Sequence, residues 1–138
     1  MEKVVPKILI IDDDPNVFKM IQFYLSKENY QLHFVQNGRQ AFSLLSHDTF
    51  DVILVDMMMP QMDGPTFINK LSAMPAFNAL IIVVTALGPT DQIMKTISDG
   101  TYDILQKPFT ANRLKLTLHN ALKYKRMLEK HSAEENGK

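Results

Sequence analysis

The sequence contains no cysteine among its 138 residues. This absence excludes a disulfide framework, a thiolate metal site and a cysteine nucleophile together. An excess of charge of one sign is also missing, because 15 lysine and arginine residues balance 15 aspartate and glutamate residues. The chain therefore has no global positive field to attract nucleic acid or an anionic membrane surface, and we expect it to bind neither of these directly. We expect partners to be recognised through local surface patches.

Long apolar segments are absent as well. No run approaches the roughly 20 apolar residues of a membrane-spanning helix, and residues 1–7 lack the apolar core of a signal peptide. We therefore predict a soluble, cytoplasmic protein. The hydrophobic content of 46% and the charged content of 22% are close to globular averages, and the length suits one domain with one core.

Four short apolar runs, rich in isoleucine and valine, stand out in this sequence. They occupy residues 8–11, 52–55, 80–84 and 104–105, and continuous runs of this kind are typical of strands buried on both faces. Residues 31–35 alternate in polarity and predict a further strand at the edge of the sheet. Amphipathic segments alternate with these five runs. The pattern predicts a single doubly wound (βα)5 domain of the α/β class with a parallel sheet. We expect the flavodoxin-like form of this fold, in which the strands have the order 2-1-3-4-5.

Turn and capping signals delimit the predicted helices. Asp14 and Pro15 open the first helix, and Thr110 caps the last one. A fourth helix is predicted between Gly88 and Gly100. The last helix is expected to bury an apolar stripe, to end in a basic solvated segment near its dipole, and to lead into a polar, disordered tail. The stripe comprises Leu114, Leu118, Ala121, Leu122 and Leu128. The basic segment comprises Lys123, Lys125, Arg126 and Lys130, and the tail comprises residues 129–138.

Polar side chains of a particular kind follow the apolar runs. Asp12 and Asp13 follow the first strand, and Asp56 follows the third. Thr85 and Lys107 hold the corresponding places after the last two strands. Because the carboxyl ends of parallel strands share one edge of the sheet, we expect these side chains to converge. Carboxylates suit Mg²⁺ or Mn²⁺, and a carboxylate nucleophile with a lysine and a hydroxyl suits phosphoryl transfer.

At these positions the sequence resembles the receiver domain of two-component response regulators, the family that includes the single-domain chemotaxis regulators. The resemblance covers roughly residues 7–125 and predicts a receiver domain at 1–125, followed at 126–138 by the end of the last helix and a polar tail, the start of a linker. The matching strings, in the family's order, are IIDDDP at 10–15, DMMMP at 56–60 with MDG at 62–64, VTA at 84–86 and KPF at 107–109.

The resemblance implies a phosphorylation switch. A histidine kinase or a histidine phosphotransfer protein would donate a phosphoryl group to Asp56 in a Mg²⁺-dependent reaction, and the domain would be a regulatory phospho-acceptor, not an enzyme with an external substrate. Each matching position has an implied role. The metal would be bound directly by Asp13, Asp56 and the backbone carbonyl of Met58, and Asp12 would act through water. The phosphoryl group would be bound by Thr85, Lys107 and the amides of Met58 and Ala86. The Lys107–Pro108 bond would be cis.

Two positions depart from the family pattern. Ile104 stands where the family commonly has an aromatic residue that turns inward with the threonine, so Thr85 and Ile104 are the predicted switch residues. Tyr102, two residues earlier, is expected on the same face of the strand as Ile104. Thr117 replaces an arginine that forms dimer salt bridges in winged-helix regulators, which favours a monomer or a weak dimer. In this family, output partners or domains contact the surface of the fourth helix, fifth strand and fifth helix, and which partner applies here stays open.

Two other functions also stay open. A pseudo-receiver would use the same fold as a binding module without phosphorylation, and the aliphatic Ile104 is compatible with that function. A Mg²⁺-dependent phosphatase of the haloacid dehalogenase type also forms an aspartyl phosphate. It requires an acidic residue two positions after the nucleophile, where this sequence has Met58.

Overall fold

The structure, a computed structural model, describes residues 4–57, 64–74, 77–86 and 101–136 of the chain. Within these residues five strands and four helices are present. The strands are β1 (Lys7–Ile11), β2 (Gln31–Val35), β3 (Val52–Asp56), β4 (Leu80–Thr85) and β5 (Asp103–Gln106), and the helices are α1 (Pro15–Tyr24), α2 (Gly38–Leu45), α3 (Gly64–Ser72) and α4 (Ala111–Asn136).

The five strands form one parallel sheet in the order β2-β1-β3-β4-β5. This order confirms the predicted fold class, and the half-buried β2 lies at an edge as predicted. Ile11 at the end of β1 is level with Val55 of β3, and Asp56 is level with Val84 of β4. The carboxyl ends of these neighbouring strands therefore meet along one edge of the sheet.

Each face of the sheet has its own apolar core. Helices α1 and α4 contribute to the core on one face, and α2 and α3 contribute to the core on the other. Successive strand residues point to opposite faces, so a continuous apolar run supplies both cores. Fully buried members of the first core include Ile8, Ile10, Ile82, Leu114 and Leu118, and those of the second include Leu9, Ile11, Ile53, Ile68 and Leu71.

Side-chain caps mark where the first and last helices begin. Asp14 Oδ1 accepts a hydrogen bond from the backbone N–H of Asn16 at 2.9 Å. Thr110 Oγ1 accepts one from the backbone N–H of Arg113 at 3.1 Å. Each cap satisfies a backbone donor that has no partner inside its helix. Both predicted caps are thus confirmed.

The C-terminal helix α4 is longer than predicted. The expectation of a disordered tail from Glu129 is wrong, because the helix continues to Asn136 and no glycine or proline interrupts it before Gly137. Leu128, predicted to be in the buried stripe, is 46% exposed. The last buried side chain of α4 in the described part of the chain is Lys125, so Leu128 lies beyond the portion of the helix that the core covers.

Lys125 itself is buried, which corrects the prediction of a solvated basic segment. Its Nζ lies 2.8 Å from Oε1 of Glu129 and 3.8 Å from Oδ1 of Asp51. The other oxygen of Asp51 accepts a hydrogen bond from the backbone N–H of Lys7 at 2.8 Å. A buried ammonium group is tolerated only with such partners, and these contacts tie α4 to the amino-terminal ends of β1 and β3.

Some predictions fall on residues that the structure does not describe. These are the fourth helix between Gly88 and Gly100 and the residues 58–63 after β3. The Lys107–Pro108 peptide bond is cis, as the family resemblance implies. In the described part of the chain no helix combines the length and the apolar character needed to cross a membrane.

Candidate functional site

Two buried aspartates lie where the order of the strands reverses, between β1 and β3. Asp12 directly follows β1 and is 3% exposed, and Asp56, the last residue of β3, is 6% exposed. In doubly wound folds, ligands bind at this switch point, in the crevice outside the carboxyl ends of the strands. The fold therefore brings these two carboxylates into the crevice where a ligand is expected.

Asp13 completes an acidic cluster in this crevice. One carboxylate oxygen from each of Asp12, Asp13 and Asp56 lies within 4.8 Å of the others, and Asp13 is the exposed member. Adjacent and opposite oxygen ligands of an octahedral Mg²⁺ are about 3 to 4 Å apart, so the spacing of these oxygens is that expected of groups that could share one ion. The donor set, made of hard oxygens only, fits Mg²⁺ or Mn²⁺.

Lys107 adds a positive charge to the same crevice. Its Nζ lies 3.3 Å from Oδ2 of Asp12 and 3.8 Å from Oδ2 of Asp56. The backbone N–H of Lys107 donates to the carbonyl of Thr85 at 2.7 Å, which holds the chain after β5 against the end of β4. When all three carboxylates are ionised, one ammonium leaves two negative charges in excess, and a divalent cation balances them.

Thr85 and Ala86 lie at the end of the neighbouring strand. Thr85 is the last residue of β4 and is fully buried, whereas Ala86 is exposed. Because Asp56 is level with Val84, Thr85 is one residue further along the sheet edge than Asp56. Met58, predicted to offer its carbonyl and amide, lies outside the described residues.

Burial raises the pKa of Asp12 above its ordinary value of 3.8. The backbone N–H of Asp14, which donates to Oδ1 of Asp12 at 2.9 Å, opposes the rise in pKa by stabilising the carboxylate. The charge of Asp56 adds to the rise, and Lys107 opposes it. This hydrogen bond from Asp14 to Asp12 was not predicted from the sequence, although an aspartate two residues before a turn into a helix is a signal for this Asx turn.

Asp12→Asn is expected to raise the free energy of unfolding of the metal-free domain at neutral pH. Asparagine removes the buried negative charge, and its Oδ1 can still accept the Asp14 N–H. Because the pKa of Asp12 is higher in the folded state, ionised Asp12 destabilises the fold above that pKa, and the effect fades as the pH falls through it towards 3.8. Urea unfolding in EDTA, from neutral pH down to about pH 4, measures the difference. The expectation would be contradicted if Asp12→Asn were no more stable than wild type at neutral pH, or if the difference in their free energies of unfolding grew as the pH fell.

Tyr102 and Ile104 pack against opposite faces of the sheet, which corrects the expectation that they share one. Ile104 in β5 packs against the core that contains residues of α2 and α3. Tyr102 packs against the other core, and its ring stacks on Tyr124 of α4 with the ring centroids 5.3 Å apart. Strand geometry begins only at Asp103, so the alternation of side chains does not extend back to Tyr102. The tyrosine therefore supplies no aromatic group at the place of Ile104.

The order of the strands, with an acidic crevice at the switch point and a lysine from the loop after β5, is the arrangement of a response regulator receiver domain. The family model of that name matches residues 8–119. The chain belongs to the response regulator receiver domain family of two-component signalling.

Similar proteins carry this domain in several settings. The chain is 30% identical over 117 residues to the transcriptional regulatory protein SrrA of Staphylococcus aureus, a match that covers 85% of this chain and 48% of SrrA. The chain thus spans about half the length of the curated relatives it matches.

Solved structures show the same fold. The signal receiver domain of an HD domain-containing protein from Pseudomonas fluorescens Pf-5 matches with a TM-score of 0.80 and 31% identity, over 90% of this chain and 99% of that one. The chemotaxis response regulator CheY4 of Vibrio cholerae matches with a TM-score of 0.79 and 26% identity, over 86% of this chain and 100% of that one.

Proposed function

We propose that this receiver domain accepts a phosphoryl group on Asp56 from a phosphohistidine of a histidine kinase or a histidine phosphotransfer protein. The observation that carries the proposal is the position of Lys107, whose Nζ contacts the carboxylates of both Asp12 and Asp56, at 3.3 and 3.8 Å. A lysine placed between a candidate nucleophile and a candidate metal ligand can bind an oxygen of an incoming phosphoryl group.

In the proposed reaction an oxygen of Asp56 attacks phosphorus, and the O–P bond of an acyl phosphate forms as the N–P bond of the phosphohistidine breaks. The leaving imidazole keeps the electron pair of that bond and takes a proton from solvent. Lys107, the hydroxyl of Thr85 and the backbone amides of Ala86 and Met58 bind the phosphoryl oxygens. Positioning and charge neutralisation are the main requirements of phosphoryl transfer.

The acidic cluster is the proposed metal site. Asp13 and Asp56 would bind the ion directly with the carbonyl of Met58, and Asp12 would act through water. A bound Mg²⁺, or Mn²⁺, neutralises charge on the transferred group. The spacing of the three carboxylates, within 4.8 Å of one another, and the raised pKa of Asp12 support this role.

Intact-mass spectrometry after incubation with Mg²⁺ and acetyl phosphate or phosphoramidate tests the proposal. We expect the mass of one phosphoryl group to be added to the wild-type chain and to be absent in Asp56→Asn. Asp14→Asn is the matched control, because it removes the same charge from an exposed helix cap and is expected to keep the adduct.

The test also separates the other functions. A wild-type chain that acquires no phosphoryl group from either donor supports a pseudo-receiver that acts by binding alone. Sustained release of phosphate from generic phosphomonoesters supports a phosphatase of the haloacid dehalogenase type. An equal adduct in Asp56→Asn means that another residue is the acceptor.

The consequences of phosphorylation are also part of the proposal. Thr85 and Ile104 are the proposed switch residues, and the surface of the predicted fourth helix, β5 and α4 is the proposed output surface for a partner or domain. Thr117 is 2% exposed, so it offers no contact in place of the dimer arginine, which supports a monomer or a weak dimer.

We place the receiver at 1–125 and the start of a linker at 126–138. The cytoplasmic location stays a prediction.

A further inference from the structure

The outward side of α4 carries a cluster of positive charges. Lys123, Arg126 and Lys130 are exposed and recur every three or four residues, so they lie along one side of the helix. Exposed apolar and imidazole side chains share that side. We call the whole set the basic face; it consists of Leu116, His119, Lys123, Arg126, Met127 and Lys130, of which the last five line one open depression.

The helix dipole does not account for these charges. Cations are favoured by the dipole only within the last turn of a helix. α4 continues to Asn136, and its last turn contains no basic residue. The three cations therefore lie in the middle of a long helix.

Ion pairs among the described side chains do not account for them either. In the described part of the chain, the nearby carboxylate of Glu129 pairs with Lys125 at 2.8 Å, and no described side chain forms an ion pair with Lys123, Arg126 or Lys130. Arg126 donates a hydrogen bond from Nε to the carbonyl of Leu122 at 3.5 Å. Like charges three and four residues apart repel each other on a helix surface, so the basic face carries a repulsion that an anionic partner would relieve.

Two exposed apolar side chains extend this surface. Leu116 is 52% exposed and Met127 is 60% exposed. They are separated by three helical turns, about 16 Å, with His119 and Lys123 between them. The aliphatic stems of lysine and arginine add further apolar area beside them.

We propose that the basic face binds an acidic amphipathic segment of a partner protein. The carboxylates of that segment pair with Lys123, Arg126 and Lys130, and its apolar side chains contact Leu116 and Met127. Charge complementarity of this kind raises the association rate and selects the partner. Lys125, between Lys123 and Arg126, contacts Asp51 beside the amino-terminal end of β3, whereas Asp56 lies at the carboxyl end of that strand. The proposed binding is that of the unphosphorylated domain, so it is separate from the phosphorylation of Asp56.

Nucleic acid and membranes fit this surface less well. Three permanent cations neutralise about three phosphates, which leaves weak binding at physiological salt, and the chain as a whole has no net charge. Stable membrane binding takes a cluster of about four to eight basic residues or a larger buried apolar face, whereas among the side chains that the structure describes only Leu116 and Met127 are large, apolar and exposed on this side.

Fluorescence anisotropy with a labelled peptide of glutamate, alanine and leucine tests the proposal, measured without phosphodonor or Mg²⁺. We expect the full-length chain to bind this peptide and not a counterpart with lysine in place of glutamate. In Lys123→Gln/Arg126→Gln/Lys130→Gln the affinity should fall about tenfold or more. Salt at about 1 M, which shortens the Debye length to about 3 Å, should weaken wild-type binding strongly.

The matched control is Lys19→Gln/Arg39→Gln/Lys70→Gln, which removes the same charge from exposed positions on α1, α2 and α3. It should bind the peptide as wild type does, and circular dichroism should show that both triple variants keep their helices. Equal loss in the two variants, or no binding by wild type, would overturn the proposal. The proposal would also be overturned if wild type bound duplex DNA or phosphatidylserine vesicles more tightly than the acidic peptide and lost that binding in Lys123→Gln/Arg126→Gln/Lys130→Gln. The basic face would then bind that ligand instead.

Discussion

Mg²⁺ is expected to raise the unfolding temperature of this domain, and Asp13→Asn is expected to remove most of that increase. An ion that binds only the folded state stabilises it by about 2.7 kcal/mol when the free ion is at about 100 times its Kd. For a domain of this size the shift is on the order of 10 °C. Oxygens of Asp12, Asp13 and Asp56 lie within 4.8 Å of one another, so the ion relieves their mutual repulsion. Asp13 is exposed, and its substitution removes a proposed ligand without disturbing the core.

Thermal unfolding followed by circular dichroism at increasing MgCl₂ measures the effect. Asp14→Asn is the control, because Asp14 caps α1 with its side chain and asparagine is an equally good cap. We expect Asp14→Asn to respond to Mg²⁺ as wild type does. Equal responses of Asp13→Asn and wild type would show that the ion is not bound by this cluster.

Leu118→Ala is expected to lower the free energy of unfolding by about 2 to 5 kcal/mol. Leu118 is fully buried in the core between the sheet and α1 and α4. Its truncation removes apolar contacts and leaves a cavity that the rigid parallel sheet cannot fill. Since the total stability of a domain is about 5 to 15 kcal/mol, this single change removes a large part of it.

Urea unfolding at neutral pH measures this loss. Leu116→Ala makes the same chemical change two residues earlier on α4, where the side chain is 52% exposed, and its effect should stay within about 0.5 kcal/mol. The denaturant dependence of the free energy should be similar in both variants. Comparable losses in the two variants would mean that α4 does not pack through Leu118.

The fold could be predicted because its signals are local and agree with one another. Ile53 belongs to an apolar run too continuous for a half-exposed strand, and it is fully buried. Asp14 and Thr110 precede amphipathic segments, and both cap helices. The convergence of Asp12, Asp56 and Lys107 followed from the rule that parallel strands end at one edge.

Other features depend on contacts that no local pattern encodes. The side of the sheet taken by Tyr102 depends on where β5 begins and on Tyr124, which is 22 positions later in the chain. The burial of Lys125 depends on its contact with Asp51, a residue far from it in the chain. A lysine on an amphipathic helix is ordinarily solvated, so only the packed structure shows the exception.

The sequence by itself determined the class of fold and the identity of the residues in the crevice. It did so because burial periodicity and the residues at strand ends are properties of short segments. Only the tertiary structure decided the distances among Asp12, Asp13, Asp56 and Lys107, the raised pKa of Asp12 and the separation of the basic face from the buried Lys125. These distances, the pKa and the burial depend on which groups from distant segments lie close together in the low-dielectric interior. Only the packing of the sheet and helices brings those groups together.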